Sequence, residues 1–321
     1  MRYPWAVATR QLGLFLGATP TPLPDLDADA RLDARLPAGV FLGPSTWTFP
    51  GWEGLVYPRG ISREDLLERG LTHASRYPLF RTVGIDRSHY APLEEDELRG
   101  YERELPAGYP CVIKVWNALT SLEDRSGNEN PAFLDERVLE QRVLLPLARR
   151  FADHVGALVL QLAPISAKNL PHPEAFAERL DAFLGALPTA FRYAVELRNR
   201  ELLTPSYLAV LARHGVSHVL NLWERMPPLG KQLALPDALG APFVVCRLSI
   251  PPGQRYEERK LRFAPFDKIV AADEAMRADV VALARACLLA RKTLYLTVNN
   301  KVEGSSPLTI RALITRILEG R

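Results

Sequence analysis

Two charged side chains at the end of an apolar run are the first sign of chemistry in this sequence. Glu196 and Arg198 stand two residues apart in the segment YAVELRN. Side chains two apart on a strand point to the same face, so both reach the same space. Asp86 and Lys114 likewise lie at the ends of apolar runs. Carboxylates, a lysine and an arginine in one partly buried space are suited to acid–base chemistry on an anionic compound.

Three residues are candidates for catalysis. Glu196 is suited to act as general acid or base, with Asp86 as the second carboxylate of a pair. Burial in an apolar strand would lower the pKa of Lys114 and favour proton transfer or Schiff-base formation with a carbonyl compound. Structural roles are the alternative: a lysine kept charged by Glu196 or Asp86, and an acid that only neutralises an arginine.

Further polar and aromatic residues near the ends of apolar runs are candidates for ligand binding. Guanidinium groups match the oxygens of carboxylates and phosphates, and aromatic rings stack on sugars or bases. The candidates are Trp47, Tyr57, Tyr90, Gln161, Arg198, Arg247, Asn299 and Asn300.

The sequence predicts a site without a metal or a cofactor. Metal-dependent barrels need several His and carboxylate ligands at the ends of strands, and His89 is the one histidine found at such an end. No Gly-rich dinucleotide motif and no Walker-type Gly-Lys-Ser/Thr follows an apolar run.

Eight short apolar runs must position these residues. They span residues 40–47, 79–85, 111–117, 157–163, 193–199, 218–223, 243–250 and 293–300. Helical patterns or long loops separate them, which favours an α/β fold of parallel strands closed into a TIM-type (β/α)8 barrel over an open, doubly wound sheet. Active sites of such barrels lie at the carboxyl ends of the strands, where the candidate residues fall.

One barrel domain over residues 40–321 is expected, preceded by an N-terminal extension or linker over residues 1–39. Residues 19–37 are rich in Pro and Asp and are not expected to build a core. The short apolar stretch LGLFLGA lacks a clear charged region and a clean cleavage site, so no signal peptide is predicted.

Composition narrows the function classes. The formal net charge of +3 arises from nearly balanced acids and bases and gives no general reason to expect nucleic acid. Three cysteines without metal-type spacing are typical of buried thiols in a reducing compartment, which predicts a cytoplasmic protein. No apolar stretch reaches the roughly 18 to 20 residues that span a bilayer.

Several segments resemble motifs of the YecE-like family, also called domain of unknown function 72. They are GPSTW, FPGWEGLVYP, VGIDRSHY, CVIKVWNALT, LQLAP, VELRN and TVNN, in the family's order from Val40 onward. The resemblance implies a TIM-type barrel. The residues that match the family's motifs are Trp47, Tyr57, Tyr90, Lys114, Gln161, Glu196, Arg198, Arg247, Asn299 and Asn300. The chain departs from the family at Gly84, Asp86, His89 and Ser249.

Two functions remain open from the sequence. The first is an enzyme, a hydrolase or lyase, that acts on a small anionic or sugar-like molecule at the carboxyl ends of the strands. The second is a non-catalytic protein that binds a nucleotide or single-stranded nucleic acid through the same basic and aromatic residues. The sequence does not predict an oligomeric state, and no membrane partner is expected.

Overall fold

Eight parallel strands form the centre of the molecule, and each develops from one of the eight apolar runs. The structure is a computed structural model that describes residues 26–124 and 126–320. The strands are β1 (Val40–Pro44), β2 (Val83–Ile85), β3 (Cys111–Lys114), β4 (Val155–Gln161), β5 (Tyr193–Glu196), β6 (Ser217–Leu222), β7 (Phe243–Leu248) and β8 (Thr293–Val298). The second strand begins four residues later than predicted, because Leu79 and Phe80 are buried in the turn before it.

Helices alternate with the strands and cover them. They are α1 (Leu26–Arg35), α2 (Arg63–Arg76), α3 (Glu95–Glu104), α4 (Glu136–Leu139), α5 (Leu145–Arg150), α6 (Pro173–Gly185), α7 (Pro205–Arg213), α8 (Leu229–Leu233), α9 (Tyr256–Phe263), α10 (Glu274–Leu289) and α11 (Ser306–Glu319). A π-helical turn, Glu140–Leu144, joins α4 to α5. Short 3-10 helices lie at Pro50–Trp52, Arg87–His89, Asn117–Leu119, Ala152–His154 and Arg200–Leu202.

The strands close into a barrel, which confirms the TIM-type fold and excludes the open, doubly wound sheet. Hydrogen-bonded neighbours run in the order β1-β8-β7-β6-β5-β4-β3-β2. The two ends of this sheet meet where the Arg81 amide donates to the Leu42 carbonyl at 2.8 Å. Parallel strands have both faces covered, so continuous apolar runs are the expected sequence pattern.

Gly43 permits the close approach of β1 to the segment leading into β2. A Cβ atom at this position would lie 1.7 Å from the carbonyl oxygen of Thr82. We therefore expect Gly43→Ala to lower the free energy of unfolding by about 3 kcal/mol, since one of the two backbones must move. The matched control is Gly100→Ala in α3, where a Cβ meets nothing within 4 Å and a helical alanine should stabilise by about 1 kcal/mol. Urea denaturation measures both, and equal stabilities for the two variants would contradict this role of Gly43.

The interior of the barrel changes from apolar to charged along its axis. Small and aromatic side chains fill the interior of the barrel below its carboxyl end. They include Val112, Val159, Val219, Val245 and Tyr295. Side chains alternate along a strand, so the residues two places further on face the same interior at the carboxyl ends. These are mostly polar, and we call this end of the barrel the mouth.

Part of the chain before β1, the region predicted to be an extension or linker, is helical. Residues 26–35 form α1, which packs against α11, and Leu36 joins the core. Asp29 is fully buried, lies 3.0 Å from Arg311 of α11 and accepts a hydrogen bond of 2.7 Å from the hydroxyl of Tyr77. The charge of Asp29 is thus neutralised by a partner distant in sequence. Residues 1–25, and with them the prediction about a signal peptide, lie outside the described residues.

The structure also bears on the predictions that the thiols are buried and that no segment spans a membrane. Cys111, Cys246 and Cys287 are free and buried, as their apolar surroundings predict. Within residues 26–124 and 126–320, no helix is long and apolar enough to cross a bilayer. The cytoplasmic location stays a prediction.

Candidate functional site

Six polar side chains from the ends of five strands meet inside the mouth of the barrel. We call them the mouth cluster: Asp86, Lys114, Gln161, Glu196, Arg198 and Arg247. All six are residues that the sequence singled out. The cluster holds three positive and two negative groups.

Strand register brings these residues to one level. Gln161 of β4 pairs in register with Glu196 of β5. Lys114 ends β3, and Arg247 lies one residue before the end of β7. Each follows an interior apolar residue by two positions, as Lys114 follows Val112, so the pleat turns it toward the axis.

Glu196 is the centre of the cluster. It is fully buried and contacts Arg198 Nη2 through Oε1 at 2.7 Å and Arg247 Nη1 through Oε2. Gln161 Oε1 accepts hydrogen bonds from Arg198 at 2.8 Å and from Arg247 at 3.0 Å. Glu196 and Arg198 thus face the barrel interior together, as their spacing predicts.

Asp86 and Lys114 form the more accessible part of the cluster. Lys114 Nζ lies 3.0 Å from Asp86 Oδ2, and the side chains are 12% and 28% exposed. Arg247 Nη2 lies 3.4 Å from Asp86 Oδ1 and so connects this pair to Glu196. One continuous ion-pair network therefore runs from the buried glutamate to the solvent side of the mouth.

Burial and neighbouring charges set the protonation states. Burial raises the pKa of Glu196, but Arg198, Arg247 and Lys114 outweigh it and lower the pKa overall. Asp86 follows the same pattern: burial raises its pKa, while Lys114 and Arg247 lower it. Burial lowers the pKa of Lys114 to about 8, although Asp86 opposes the change. At neutral pH both carboxylates are ionised, and Lys114 exchanges its proton more easily than an ordinary lysine.

Arg198 has hydrogen-bonding capacity left over. Its guanidinium carbon lies 3.6 Å above the ring of Trp223, which fixes the plane of the group. Nε and Nη1 are buried, and neither has a hydrogen-bond partner among the described residues. Burial lowers the pKa of Arg198 to about 10, although Glu196 opposes this, so the group stays charged. These two donors are available to a ligand.

Three predicted ligand-binding residues lie in packed positions away from the mouth cluster. Trp47 packs edge-on against Tyr101 at 5.6 Å between ring centroids. The hydroxyl of Tyr57 donates to the carbonyl of Trp47. Asn300 Oδ1 accepts from the indole of Trp52 at 3.1 Å and from the amide of Ser306 at 2.7 Å. Contacts of this kind hold the loops after β1 and β8.

The other predicted residues lie nearer the rim. Tyr90 is 66% exposed and packs edge-on against His89. Asn299 Oδ1 accepts from the amide of Lys301 at 3.1 Å and lies 3.4 Å from its ammonium. Burial, with Lys114 and Arg247 nearby, lowers the pKa of His89 to about 4, so this histidine is neutral.

Lys301 and its aromatic neighbours were not among the selected site residues. The lysine directly follows the Asn-Asn pair after β8, and this position is the sequence feature that could have indicated it as a site residue. Its ammonium lies 4.2 Å from the ring centroid of Tyr256 and 5.7 Å from that of Phe266. These rings come from α9 and the loop after it, and no sequence pattern in this segment indicates that it packs near the mouth.

Among the residues that the structure describes, no three His, Cys, Asp or Glu side chains are grouped so that they could hold a metal ion. The expectation of a site without metal or cofactor remains a prediction.

The comparison with protein families decides the identity. The model of the family described as "Protein of unknown function DUF72" matches residues 41–320, which is nearly the whole chain. The chain belongs to the DUF72 family. Membership confirms the resemblance read from the sequence motifs and leaves the activity open, since the family is described by its unknown function.

Crystal structures of other DUF72 proteins share the fold. A DUF72 family protein from Thermotoga maritima superposes with a TM-score of 0.58 at 17% identity, covering 87% of this chain and 99% of that one. One from Enterococcus faecalis gives a TM-score of 0.55 at 13% identity, covering 87% of this chain and 95% of the other. At these identities the likeness concerns the DUF72 fold alone. No curated protein matches the chain significantly.

Buried neutral histidines predict how the stability of this DUF72 barrel depends on pH. Burial lowers the pKa of His218 to about 4; its Nδ1 lies 3.1 Å from the hydroxyl of Tyr207. The unfolded chain therefore binds more protons than the folded one between about pH 6.5 and pH 4. We expect the free energy of unfolding to fall with pH in this window, by roughly 2 kcal/mol for His218 alone.

Denaturation of wild type and His218→Gln between pH 7 and pH 4.5 measures this dependence. The variant should show a clearly flatter pH profile. His172→Gln is the control, because its side chain is 77% exposed and its loss should leave the profile unchanged. Parallel profiles for wild type and His218→Gln would contradict the assignment of His218 as a buried neutral group.

Proposed function

We propose that the mouth of the barrel binds a small anionic molecule and that Lys114, paired with Asp86, transfers a proton to or from it. The observation that carries the proposal is the charge balance of the mouth cluster. Among residues 26–124 and 126–320, the ion pairs of Lys114, Arg198 and Arg247 involve two carboxylates, so one positive charge of the mouth cluster is left without a counter-charge inside the barrel. An anion completes this balance, and a neutral or cationic ligand does not.

Arg198 and the ammonium of Lys114 position the ligand. Arg198 offers Nε and Nη1, which have no partner among the described residues, and its plane is fixed by Trp223. A planar guanidinium matches two oxygens of a carboxylate or phosphate at once. Arg247 is committed to Glu196, Gln161 and Asp86, and acts by holding the network in place.

Proton transfer is assigned to Lys114 rather than to Glu196. Glu196 is fully buried, ionised and in contact with an arginine at each oxygen, so taking up a proton would break two ion pairs. Lys114 is partly exposed and has a pKa of about 8, near the working pH that favours acid–base catalysis. Asp86, at 3.0 Å, stabilises the ammonium each time the proton returns. Chemistry of this type suits a lyase or hydrolase that needs no metal.

A nucleotide or single-stranded nucleic acid is the second candidate ligand. A cleft of about 350 Å³ opens beside the mouth cluster, and Arg198, Arg200 and Arg225 all line it. Ile165 and Leu170 supply an apolar side to the same cleft. Three arginines and an apolar surface suit a phosphate and a base, although the near-neutral net charge is weak for binding a long backbone.

A thermal-shift panel on the wild-type protein distinguishes the two candidates. It includes sugar phosphates, keto acids, nucleotides and short oligonucleotides, each at low and high salt. The proposal expects stabilisation by a class of small anions that persists at high salt, because the site is buried. Stabilisation by oligonucleotides alone, fading as salt rises, would replace the proposed enzyme with the nucleic-acid binder. No stabilisation by any compound would leave the cluster a purely structural network and end the proposal.

A further inference from the structure

Lys301 is a buried lysine for which the proposed reaction gives no role. It is the third residue after β8 and is only 4% exposed. Its ammonium lies over the ring of Tyr256 at 4.2 Å and 3.4 Å from Asn299 Oδ1. Over residues 26–124 and 126–320, no carboxylate forms an ion pair with it. Its direct contacts are therefore aromatic faces and one amide oxygen, and the nearby Glu257 is paired with Lys260 at 3.6 Å.

A buried ammonium with these neighbours is costly to keep. Desolvation penalises the charged form, and an aromatic face returns only part of that energy. Burial lowers the pKa of Lys301 to about 8, with Lys260 adding to the effect, so most molecules still carry the charge at pH 7. A methionine would fill similar space without the penalty. A lysine at this buried position therefore points to an anionic ligand that would neutralise its charge.

The place of Lys301 in the barrel indicates which part of a ligand it meets. Thr297 of β8 pairs in register with Arg247 of β7, and Lys301 follows Thr297 by four residues, so it lies at the carboxyl end of the barrel on the side of the mouth cluster that Arg247 occupies. Lys301 and the mouth cluster together comprise four cationic groups and two carboxylates, while the nearby Glu257 and Glu224 are paired with Lys260 and Arg225. An excess of two positive charges suits a dianion, such as a phosphate monoester, better than a single carboxylate.

The two segments that build this corner follow β7 and β8. Arg259 of α9 donates to the carbonyl oxygens of Lys301 at 2.9 Å and Val302 at 2.6 Å, which ties α9 to the loop after β8. In TIM-type barrels the loops after the seventh and eighth strands frequently form a phosphate site. Position and charge therefore lead to the same type of ligand group.

We propose that Lys301, placed over Tyr256 beside the mouth cluster, binds the phosphoryl group of the ligand, so that the ligand is a phosphate monoester of a small carboxylic or carbonyl compound. This assignment rests on the proposed anion site and specifies its substrate class. The phosphoryl group meets Lys301, and the remaining carboxylate or carbonyl group meets Arg198 and Lys114.

The test compares two probes that differ by one phosphoryl group, 2-phosphoglycolate and glycolate. Isothermal titration gives the dissociation constant of each for wild type, for Lys301→Met and for Lys260→Met. Lys260 lies in α9, the helix that carries Tyr256, but is 55% exposed and pairs with Glu257 at 3.6 Å, so it serves as the matched control. Lys301→Gln, which keeps a polar head, is a second variant.

Wild type and Lys260→Met should bind phosphoglycolate roughly 30-fold tighter than glycolate, the size expected for charge-assisted hydrogen bonds. In Lys301→Met and Lys301→Gln that ratio should fall close to one. The thermal midpoint of the free Lys301→Met protein should be unchanged or higher, because a buried unpaired charge is removed.

An unchanged ratio in both Lys301 variants, with tight binding retained, overturns the phosphoryl assignment and leaves the anion site standing. Failure of the wild type to bind either probe overturns both together. The two failures are therefore distinguishable from one titration series.

Discussion

Replacing Glu196 by Gln is expected to lower the free energy of unfolding by about 3–5 kcal/mol, the largest effect on stability that we predict for a single side chain. Glu196 is fully buried and supplies the carboxylate that both Arg198 and Arg247 contact. Glutamine keeps the shape but not the charge, which leaves two buried guanidinium groups without their main counter-charge. Desolvated charges without a partner are among the costliest defects in a folded protein.

Chemical denaturation at pH 7 measures the effect of this substitution. The control is Glu201→Gln five residues later, where the glutamate is 51% exposed and lies 3.7 Å from Arg200. Its loss should leave stability nearly unchanged, since exposed ion pairs contribute little. Adding Arg247→Met to Glu196→Gln should recover part of the loss, because one uncompensated charge is removed. A Glu196→Gln protein as stable as wild type would show that Arg198 and Arg247 do not depend on the charge of Glu196 for their stability in the folded protein.

Replacing Lys114 by Met is expected to weaken the binding of small anions about 100-fold, the largest effect on ligand affinity. The substitution removes the excess positive charge of the mouth cluster and the ammonium nearest to solvent. Loss of one partner from a buried, hydrogen-bonded charge pair costs about 3 kcal/mol, and each 1.4 kcal/mol is tenfold in affinity. The folded state should survive, because Asp86 retains Arg247 at 3.4 Å and is partly exposed.

Titration with pyruvate and with inorganic phosphate measures this loss. Lys231→Met in α8 is the matched control, since Lys231 is exposed and belongs to no part of the mouth cluster. Wild type and Lys231→Met should bind alike. Equal affinities for wild type and Lys114→Met would remove Lys114 from the site and leave the lysine as a structural partner of Asp86.

The barrel and the centre of the site could be predicted from the sequence because both depend on local patterns. Eight apolar runs separated by helical patterns leave few arrangements of parallel strands other than a closed barrel. The two-residue spacing of Glu196 and Arg198 fixes a common direction for their side chains whatever the rest of the fold. Residues at the carboxyl ends of barrel strands converge because the barrel is closed.

The features that the sequence did not show depend on contacts between distant segments. Trp47 and Tyr57 lie in the loop after β1, and the hydroxyl of Tyr57 donates to the carbonyl of Trp47. Tyr256 reaches Lys301 because α9 lies against the loop after β8, and neither segment shows this by its own composition. The burial of Asp29 depends on Arg311, which is far away in the sequence.

A crystal structure of the wild-type protein grown with 2-phosphoglycolate tests the central claim most directly, namely that the mouth binds a small anion. We predict that the ligand lies within hydrogen-bonding distance of Lys114 Nζ and of the unpartnered edge of Arg198, with its phosphoryl group beside Lys301. The contrary result is a mouth filled by water alone while the anion occupies the cavity of about 550 Å³ on the outside of the barrel, where Arg59, Arg69 and Arg76 converge. That outcome would move the site from the barrel mouth to its flank and contradict the function proposed here.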